Sequence, residues 1–407
     1  EEIVPPVYVK TWFHTGFFKN RTEISKQFAE EYFNGDSQAW LLPDTILPEG
    51  LTAIEAREAC RALRGSALRK EVYAQDGTAQ ESIPYTIEEK NFDIRMLQGI
   101  KTNKHGVFHI TERETLAYQY ERDTTDPRIM QSLVLETDRY GNVTKSAQVA
   151  YPRRTTPTST NLPEQEKLHI LYTENRFINK TETGEIHLIG AGCETKAYEI
   201  TGIPFINHKF EKEALKTAVT DPDLITEIAY TATPGTTPEK RKIQHDRVYY
   251  WDEALTQHLL LGNIAPHALP YQKQSLEITQ DILDIVNNDG TKITTTMLQN
   301  EGKYLQEGTN WWTISEIQTF DATAFYQPVS VTDPFGGTTQ LSYDSHKLLI
   351  ESVTDADNRT TTVENNYRLL QAWKIIDPNG NSQCVDFDTL GMVKAMVVMG
   401  KNGEGDT

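Results

Sequence analysis

The sequence has little of what disulfide-rich proteins, membrane proteins and nucleic-acid-binding proteins depend on. Its 407 residues include only three cysteines, which lie far apart without Cys-x-x-Cys spacing and are expected to be buried free thiols: Cys60, Cys193 and Cys384. No apolar run approaches the roughly 18 residues that suggest a membrane-spanning helix. A net charge of −18 argues against nucleic acid and anionic membranes as partners. The composition agrees with a secreted β protein but does not single one out.

Signatures of catalysis are also missing. No Gly-x-Ser-x-Gly, His-Glu-x-x-His or Walker sequence occurs. His105 and His109 have no third metal ligand at hand, and the glycines at 190 and 192 lack the third glycine of a dinucleotide-binding fingerprint. We therefore expect no catalytic residue, no metal site and no cofactor.

The chain does contain an internal repeat, which starts at Val331 and has a period of 22 residues. The units begin VTDPFGGTTQLSYD, VTDADNRTTTVENN and IIDPNGNSQCVDFD, and VVMGKNG starts a fourth. The lead positions in register are Val331, Val353, Ile375 and Val397. One unit is long enough for two short strands and two turns. The repeat predicts a sheet that grows by one hairpin per unit, in which each unit packs only against its neighbours.

Turn residues mark both ends of the predicted strands. Asp caps its own backbone, Pro presets φ, and Gly or Asn accepts a positive φ. A catalytic or metal role would require the repeated aspartates to converge, whereas a stacked sheet spreads them along one edge. We interpret two sets of residues as structural: the turn aspartates Asp333, Asp355 and Asp377, and the dipeptides Tyr343-Asp344 and Phe387-Asp388, with Asn365-Asn366 in the middle copy.

The predicted fold is mostly β, a large antiparallel sheet built from hairpins with a few short helices. We divide the chain into an irregular, aromatic-rich segment with a short helix (1–70), a β-sheet region (71–210), a mixed region with short helices (211–330) and the repeats (331–400). Alternation at Leu116-x-Tyr118-x-Tyr120 predicts a sheet with one dry face.

Local patterns predict the helices. A capping box at Thr52-Ala-Ile-Glu55 opens a helix that ends before Gly65. Further helices are predicted over 211–219 and 252–261, and strands over 241–251 and 291–299.

The repeat units resemble a known family. Tyr343-Asp344-Ser-His-Lys-Leu and Phe387-Asp388-Thr-Leu-Gly-Met-Val resemble the YD (RHS) repeat, whose pattern runs Tyr-Asp-x-x-Gly-Arg-Leu. The segments 5–16, 51–78 and 138–154 resemble the middle-to-C-terminal region of the B component of bacterial insecticidal toxin complexes. This resemblance extends over essentially all of residues 1–400.

The resemblance implies a function. In that family the B component joins a C component in a hollow β-sheet shell, which holds a toxic C-terminal cargo unfolded until delivery through the A-component channel. We therefore expect a secreted, non-enzymatic part of the shell wall that does not insert into the membrane itself. The sequence starts at Glu1 without a methionine and ends in the irregular stretch 400–407. We therefore expect a piece of a longer chain, whose unpaired last strand needs a partner strand.

Two alternatives stay open. Trp311 and Trp312 are a possible aromatic surface, which would suit an extracellular module that binds carbohydrate or a cell surface; packing inside the protein is the other reading. A hydrolase hidden in 211–330 would need His245 or His258 within hydrogen-bond distance of a carboxylate.

Overall fold

The computed structural model describes residues 6–101, 103–154, 162–181, 186–288, 290, 292–401 and 404–405. These residues form two sheets, almost entirely antiparallel, with a few short helices, which confirms the predicted fold class. The contacts divide the chain into two units, one of Glu1–Phe177 with Thr195–His245 and one of Ile178–Glu194 with Asp246–Thr407.

The first unit is built on long strands that pair in chain order. β9 runs parallel to its neighbour, β10, and strands β7, β8 and β10 contribute residues to both units. The strands are β1 (Val7–Phe13), β2 (Ala67–Ala74), β3 (Thr86–Gln98), β4 (Val107–Gln119), β5 (Arg128–Thr137), β6 (Val143–Ala150), β7 (His169–Lys180), β8 (Leu188–Thr201), β9 (Thr226–Ile228) and β10 (Glu239–Tyr250). The helices are α1 (Ala53–Ala62) and α2 (Lys212–Thr220), with 3-10 turns at Ala29–Glu31 and Pro163–Glu166.

One face of this sheet carries the core of the first unit. Leu116 and Tyr118 of β4 and Leu133 of β5 are buried there, and α2 adds Leu215 and Val219 to the same cluster. Successive side chains of a strand point to opposite faces, so the alternation in the sequence placed these residues on one side. The predicted dry face at positions 116, 118 and 120 is confirmed.

Helix α1 begins as its sequence predicts. The Thr52 hydroxyl accepts a hydrogen bond from the Glu55 N–H at 3.2 Å, and the Glu55 carboxylate accepts one from the Thr52 N–H at 3.0 Å. Along this segment Ala56, Cys60 and Leu63 recur at three- and four-residue spacing and are buried in a second core cluster, whereas Ala53 in the first turn is exposed. The predicted helix over 211–219 is confirmed by α2.

The second unit contains the remaining strands. They are β11 (Pro270–Ile278), β12 (Leu305–Glu307) and β13 (Asn310–Ile314), followed by the repeat sheet: β14 (Ile317–Asp321), β15 (Gln327–Thr332), β16 (Thr338–Tyr343), β17 (Ile350–Thr354), β18 (Thr360–Asn366), β19 (Gln371–Ile376), β20 (Ser382–Phe387) and β21 (Val393–Met399). Helix α3 (Gln280–Val286), a π-helix (Met297–Glu301) and a 3-10 turn (Ala322–Ala324) lie between them. The three cysteines are thiols outside any disulfide; Cys60 and Cys193 are buried, whereas Cys384 is only half-buried.

Three local predictions were wrong. Residues 252–261 form a turn rather than a helix, because the Asp252 carboxylate accepts the Thr256 N–H at 2.8 Å and the Asp252 N–H donates to the Gln257 carbonyl at 2.9 Å. The predicted strand at 291–299, whose first residue lies outside the described residues, runs into the π-helix, where the Gly302 N–H donates to the Met297 carbonyl at 2.8 Å. Strand β1 lies within a segment predicted to be irregular. In each case hydrogen bonding or strand pairing overrode propensity.

Candidate functional site: the repeat sheet and its turns

The repeat sheet grows by one hairpin at a time. Strands β14 to β21 pair in chain order, each antiparallel to the next. Leu341 lies opposite Val353, and Val363 lies opposite Ile375, so the residue ten positions into one unit meets the lead residue of the next unit across the ladder. This is the hairpin sheet that the 22-residue period predicts.

The first turn of each unit has the same backbone geometry. The N–H of the turn aspartate donates to the carbonyl four residues on, at 2.9 Å from Asp333, 3.0 Å from Asp355 and 2.9 Å from Asp377. The fourth residue of each turn has a positive φ: 90° at Gly336, 60° at Asn358 and 88° at Gly380. A type I turn followed by a left-handed residue is a standard three-residue hairpin connection, which explains the Gly or Asn at that place.

The three aspartate side chains cap these turns. Asp333 accepts hydrogen bonds from the N–H groups of Phe335 (2.8 Å) and Gly337 (2.9 Å). Asp355 and Asp377 make the same pair of bonds, two and four residues on. The Arg359 N–H lowers the pKa of Asp355, and the Asn381 side-chain amide lowers the pKa of Asp377. These hydrogen bonds stabilise the charged carboxylates of Asp355 and Asp377, which are half-buried, whereas Asp333 makes the same pair of bonds at an exposed position.

The aspartates of the aromatic–Asp dipeptides cap the second turn of each unit. Asp344 is fully buried and accepts the N–H groups of Leu348 (2.8 Å) and Leu349 (3.3 Å), which lower its pKa. Asp388 accepts those of Leu390 (2.8 Å) and Met392 (2.9 Å).

In two of the three units the first residue of the dipeptide forms a hydrogen bond to the neighbouring strand. The Tyr343 hydroxyl donates to the Pro328 carbonyl at 2.9 Å, fifteen residues back. The Asn365 side-chain amide donates to the Ile350 carbonyl at 2.8 Å, also fifteen residues back. Asn365 therefore replaces Tyr343 without loss of the hydrogen bond, whereas Phe387 has no donor for it.

Contacts also join the second turns to one another. Arg368 donates to the carbonyls of Thr389 (2.8 Å) and Asp388 (2.9 Å) in the next unit. The Asp344 carboxylate raises the pKa of the Tyr367 hydroxyl. The repeated polar residues thus lie along one edge of the sheet and link unit to unit.

The last hairpin departs from the period. By the repeat, Val397 should lie opposite Val385, but Val385 lies opposite Met396 and Val397 opposite Cys384. The preceding turn is one residue shorter: the Asp388 N–H donates to the Met392 carbonyl, whereas the Asp344 N–H reaches Leu349. A shift of one residue moves a side chain to the other face of the sheet, so the prediction of Val397 as a fourth equivalent position was wrong.

Sequence reasoning missed one more copy of the turn, which lies in the first unit. The Asp138 N–H donates to the Asn142 carbonyl at 2.9 Å, and the carboxylate accepts the N–H groups of Tyr140 (2.8 Å) and Asn142 (2.9 Å). Gly141 supplies the positive φ of 91°. The signal was present, because Asp-Arg-Tyr-Gly-Asn at 138–142 has the same Asp-x-x-Gly-Asn spacing as 377–381.

Trp311 and Trp312 do not form an exposed surface. Their exposed fractions are 2% and 1%. They are adjacent on β13, so their rings point to opposite faces and both faces of that strand are covered. The Arg247 guanidinium lies 4.0 Å from the centre of the Trp312 ring. The structure corrects the possible aromatic surface to interior packing, because the tertiary contacts remove the indole faces that a sugar would need.

Two histidines of this region have neighbours that the structure describes. His258 contacts the Leu259 carbonyl at 3.1 Å and its ring stacks on Tyr271. His267 lies 2.5 Å from Glu253, and both side chains are substantially exposed. Over the described ranges, no group of three or more His, Cys, Asp or Glu side chains is placed to hold a metal ion.

Comparisons with known proteins agree with this architecture. Residues 58–190 match the family described as "Insecticide toxin TcdB middle/C-terminal region", and residues 327–361 match the RHS repeat. No curated protein matches the sequence. Within the described part of the chain, no helix has the length and apolar character needed to cross a membrane.

Solved structures share the fold. The crystal structure of TcdB2-TccC3 has a TM-score of 0.73 at 21% identity, over 97% of this chain and 20% of that one. The Photorhabdus luminescens Tc holotoxin pore also gives 0.73 at 21% identity, over 98% and 19%. TcdB2-TccC3 without its hypervariable C-terminal region gives 0.72 at 21% identity, over 97% and 19%. The chain spans about a fifth of these chains.

Proposed function

We propose that this chain, which carries a TcdB-type middle/C-terminal region at 58–190 and an RHS repeat at 327–361, is a structural part of a toxin-complex B component. In this proposal it forms part of the shell that encloses the toxic C-terminal cargo of a partner C component. The role is non-enzymatic.

The observation that carries the proposal is the construction of the repeat sheet. Eight strands follow one another by hairpins, and none of the described residues in these strands is a buried apolar side chain. A globular domain buries one face of its sheet against a second layer. A single sheet whose capped turns tie each unit to the next is suited to be a wall rather than the support of a pocket.

Similarity to TcdB2-TccC3 and to the Tc holotoxin pore supports the identity of the partners. We propose that the protein is secreted and joins a C component, and that the assembly delivers cargo through the A-component channel. The wall isolates the unfolded cargo from proteases before delivery.

Limited proteolysis tests the proposal. The full-length gene product is co-expressed with its C component, and cleavage of the cargo is followed with and without residues 331–400. We expect protection in the full-length complex and its loss in the deletion. Equal protection would overturn the proposal.

A milder variant separates loss of the wall from general misfolding. Asp355→Ala combined with Asp377→Ala removes two turn caps and leaves all strands in place. We expect faster cleavage of the cargo while the C component still co-purifies. The matched control is Asp357→Ala, since that exposed residue lies in the same turn without capping it.

A further inference from the structure

The two faces of the repeat sheet differ in chemistry. Side chains alternate between faces along each strand, and directly paired residues share a face. One face, here called the aliphatic face, carries Val331, Leu341, Val353, Val363, Ile375 and Val385. The opposite face, here called the hydroxyl face, carries Ser330, Thr332, Ser342, Ser352, Thr354 and Thr362, with Ile376 as an apolar exception opposite Thr362.

Several polar side chains of the hydroxyl face pair with one another. The Thr332 and Thr338 hydroxyls lie 3.0 Å apart, and those of Thr354 and Thr360 are also 3.0 Å apart. Further along, Glu364 and Lys374 form an ion pair at 2.9 Å. A surface of paired hydroxyls and charges is suited to contact with water.

The middle rows of the aliphatic face are mainly apolar, with one uncharged polar residue in each: Thr361 lies opposite Val353 and Gln383 lies opposite Ile375. Leu341 pairs with Val353, and Val363 with Ile375. At the last strand Met396 and Val398 share this face and are 75% and 71% exposed. These cross-strand pairs contain no charged residue, although the chain as a whole has a net charge of −18.

An aliphatic face of this extent is expected to be buried against another chain or segment. Contiguous apolar surface exposed to solvent promotes aggregation and marks a site of interaction. In a closed wall one sheet thick, the inner face is the one hidden from other molecules. The hydroxyl face then meets bulk solvent, and the aliphatic face meets whatever the shell contains.

We propose that the aliphatic face lines the lumen and contacts extended apolar segments of the unfolded cargo chain; this rests on the proposed encapsulation. Inside the sheet the backbone hydrogen-bonding groups are used by neighbouring strands, so cargo contacts are made by side chains. Aliphatic side chains attract apolar groups without directional requirements. Such a lining accepts cargo of any sequence and holds no segment tightly.

Photo-crosslinking tests the assignment in the full-length gene product co-expressed with its C component. p-Benzoylphenylalanine replaces Val353 or Val363 on the aliphatic face. The controls carry it at Ser352 or Thr362, the neighbouring residues on the hydroxyl face. We expect crosslinks to the cargo from positions 353 and 363, and none from positions 352 and 362.

Protease protection, measured on the same samples, separates the two proposals. Protected cargo that crosslinks from Ser352 and Thr362, from both faces equally, or from none of the four positions overturns the lumen assignment and leaves encapsulation standing. Cargo that is cleaved freely in every sample overturns encapsulation, and the lumen assignment with it.

A charge substitution gives a second readout. Val353→Glu combined with Val363→Glu is expected to cause loss of co-purified cargo. Ser352→Glu combined with Thr362→Glu is the control and is expected to retain it. Equal retention in both variants contradicts the assignment.

Discussion

Asn365 occupies the place in the second repeat that Tyr343 holds in the first, and each side chain donates to a backbone carbonyl fifteen residues earlier. The tyrosine hydroxyl and the shorter asparagine amide thus make equivalent hydrogen bonds between neighbouring strands. The third repeat has Phe387 at this place, where the donor is missing.

The missing donor can be restored. Phe387→Tyr places a hydroxyl where it can reach the Ala372 carbonyl, since the pairing of β19 with β20 repeats that of β17 with β18. We expect an increase of about 1 kcal/mol in the free energy of unfolding, the usual net contribution of one hydrogen bond. Urea denaturation measures it. Asn365→Leu is the converse variant and should lose a similar amount; an unchanged midpoint in both would show that this hydrogen bond contributes nothing.

The left-handed turn position gives a second prediction. Gly380 has φ 88°, and the nearest atom to an added Cβ is the flexible Lys401 side chain at 3.8 Å. Gly380→Ala therefore costs backbone strain rather than a clash, about 1–2 kcal/mol. Gly380→Asn should cost less, because Asn358 already holds a positive φ at the equivalent place. Thermal unfolding of the two variants compares them, and the reverse order of stability would contradict the turn assignment.

Acid should weaken the repeat sheet. The native pKa values of Asp344, Asp355 and Asp377 are lowered by hydrogen bonds, first by the Leu348 N–H, the Arg359 N–H and the Asn381 side chain respectively. Because unfolded aspartate titrates near about 3.9, these groups contribute stability above that pH and lose it as pH falls through their lower native values.

Denaturation midpoints between pH 7 and pH 3 measure this effect. We expect stability to decline below about pH 4. Asp377→Asn should be less stable at pH 7 and should decline less steeply in acid, since one titrating cap is removed. A slope equal to that of the unsubstituted protein would show that Asp377 does not contribute.

The turn at Asp138 should behave like its counterparts in the repeats. Asp138→Ala removes the acceptor for the Tyr140 and Asn142 N–H groups, and we expect a loss of about 2 kcal/mol. Hydrogen exchange should accelerate at these two amides while α1 stays protected. Asp138→Asn keeps one acceptor oxygen and serves as the control with a smaller effect.

Much of the repeat sheet could be predicted from the sequence because the contacts that form its turns are local. The capping aspartates and the Gly or Asn at the left-handed position involve groups at most five residues apart, and the 22-residue period repeats these local contacts. The capping box of Thr52 and Glu55 is equally local. Such contacts form wherever the chain carries them, so the hairpins and α1 could be predicted.

Other features were decided only by tertiary structure. The burial of Trp311 and Trp312 depends on partners from other segments that spacing does not reveal. A single residue fewer in the turn before β21 sent Val397 to the hydroxyl face, although the 22-residue period placed it with Ile375. Sequence alone determined which residues make turns and strands; strand register and burial, which arise from distant segments meeting, determined which face each residue presents.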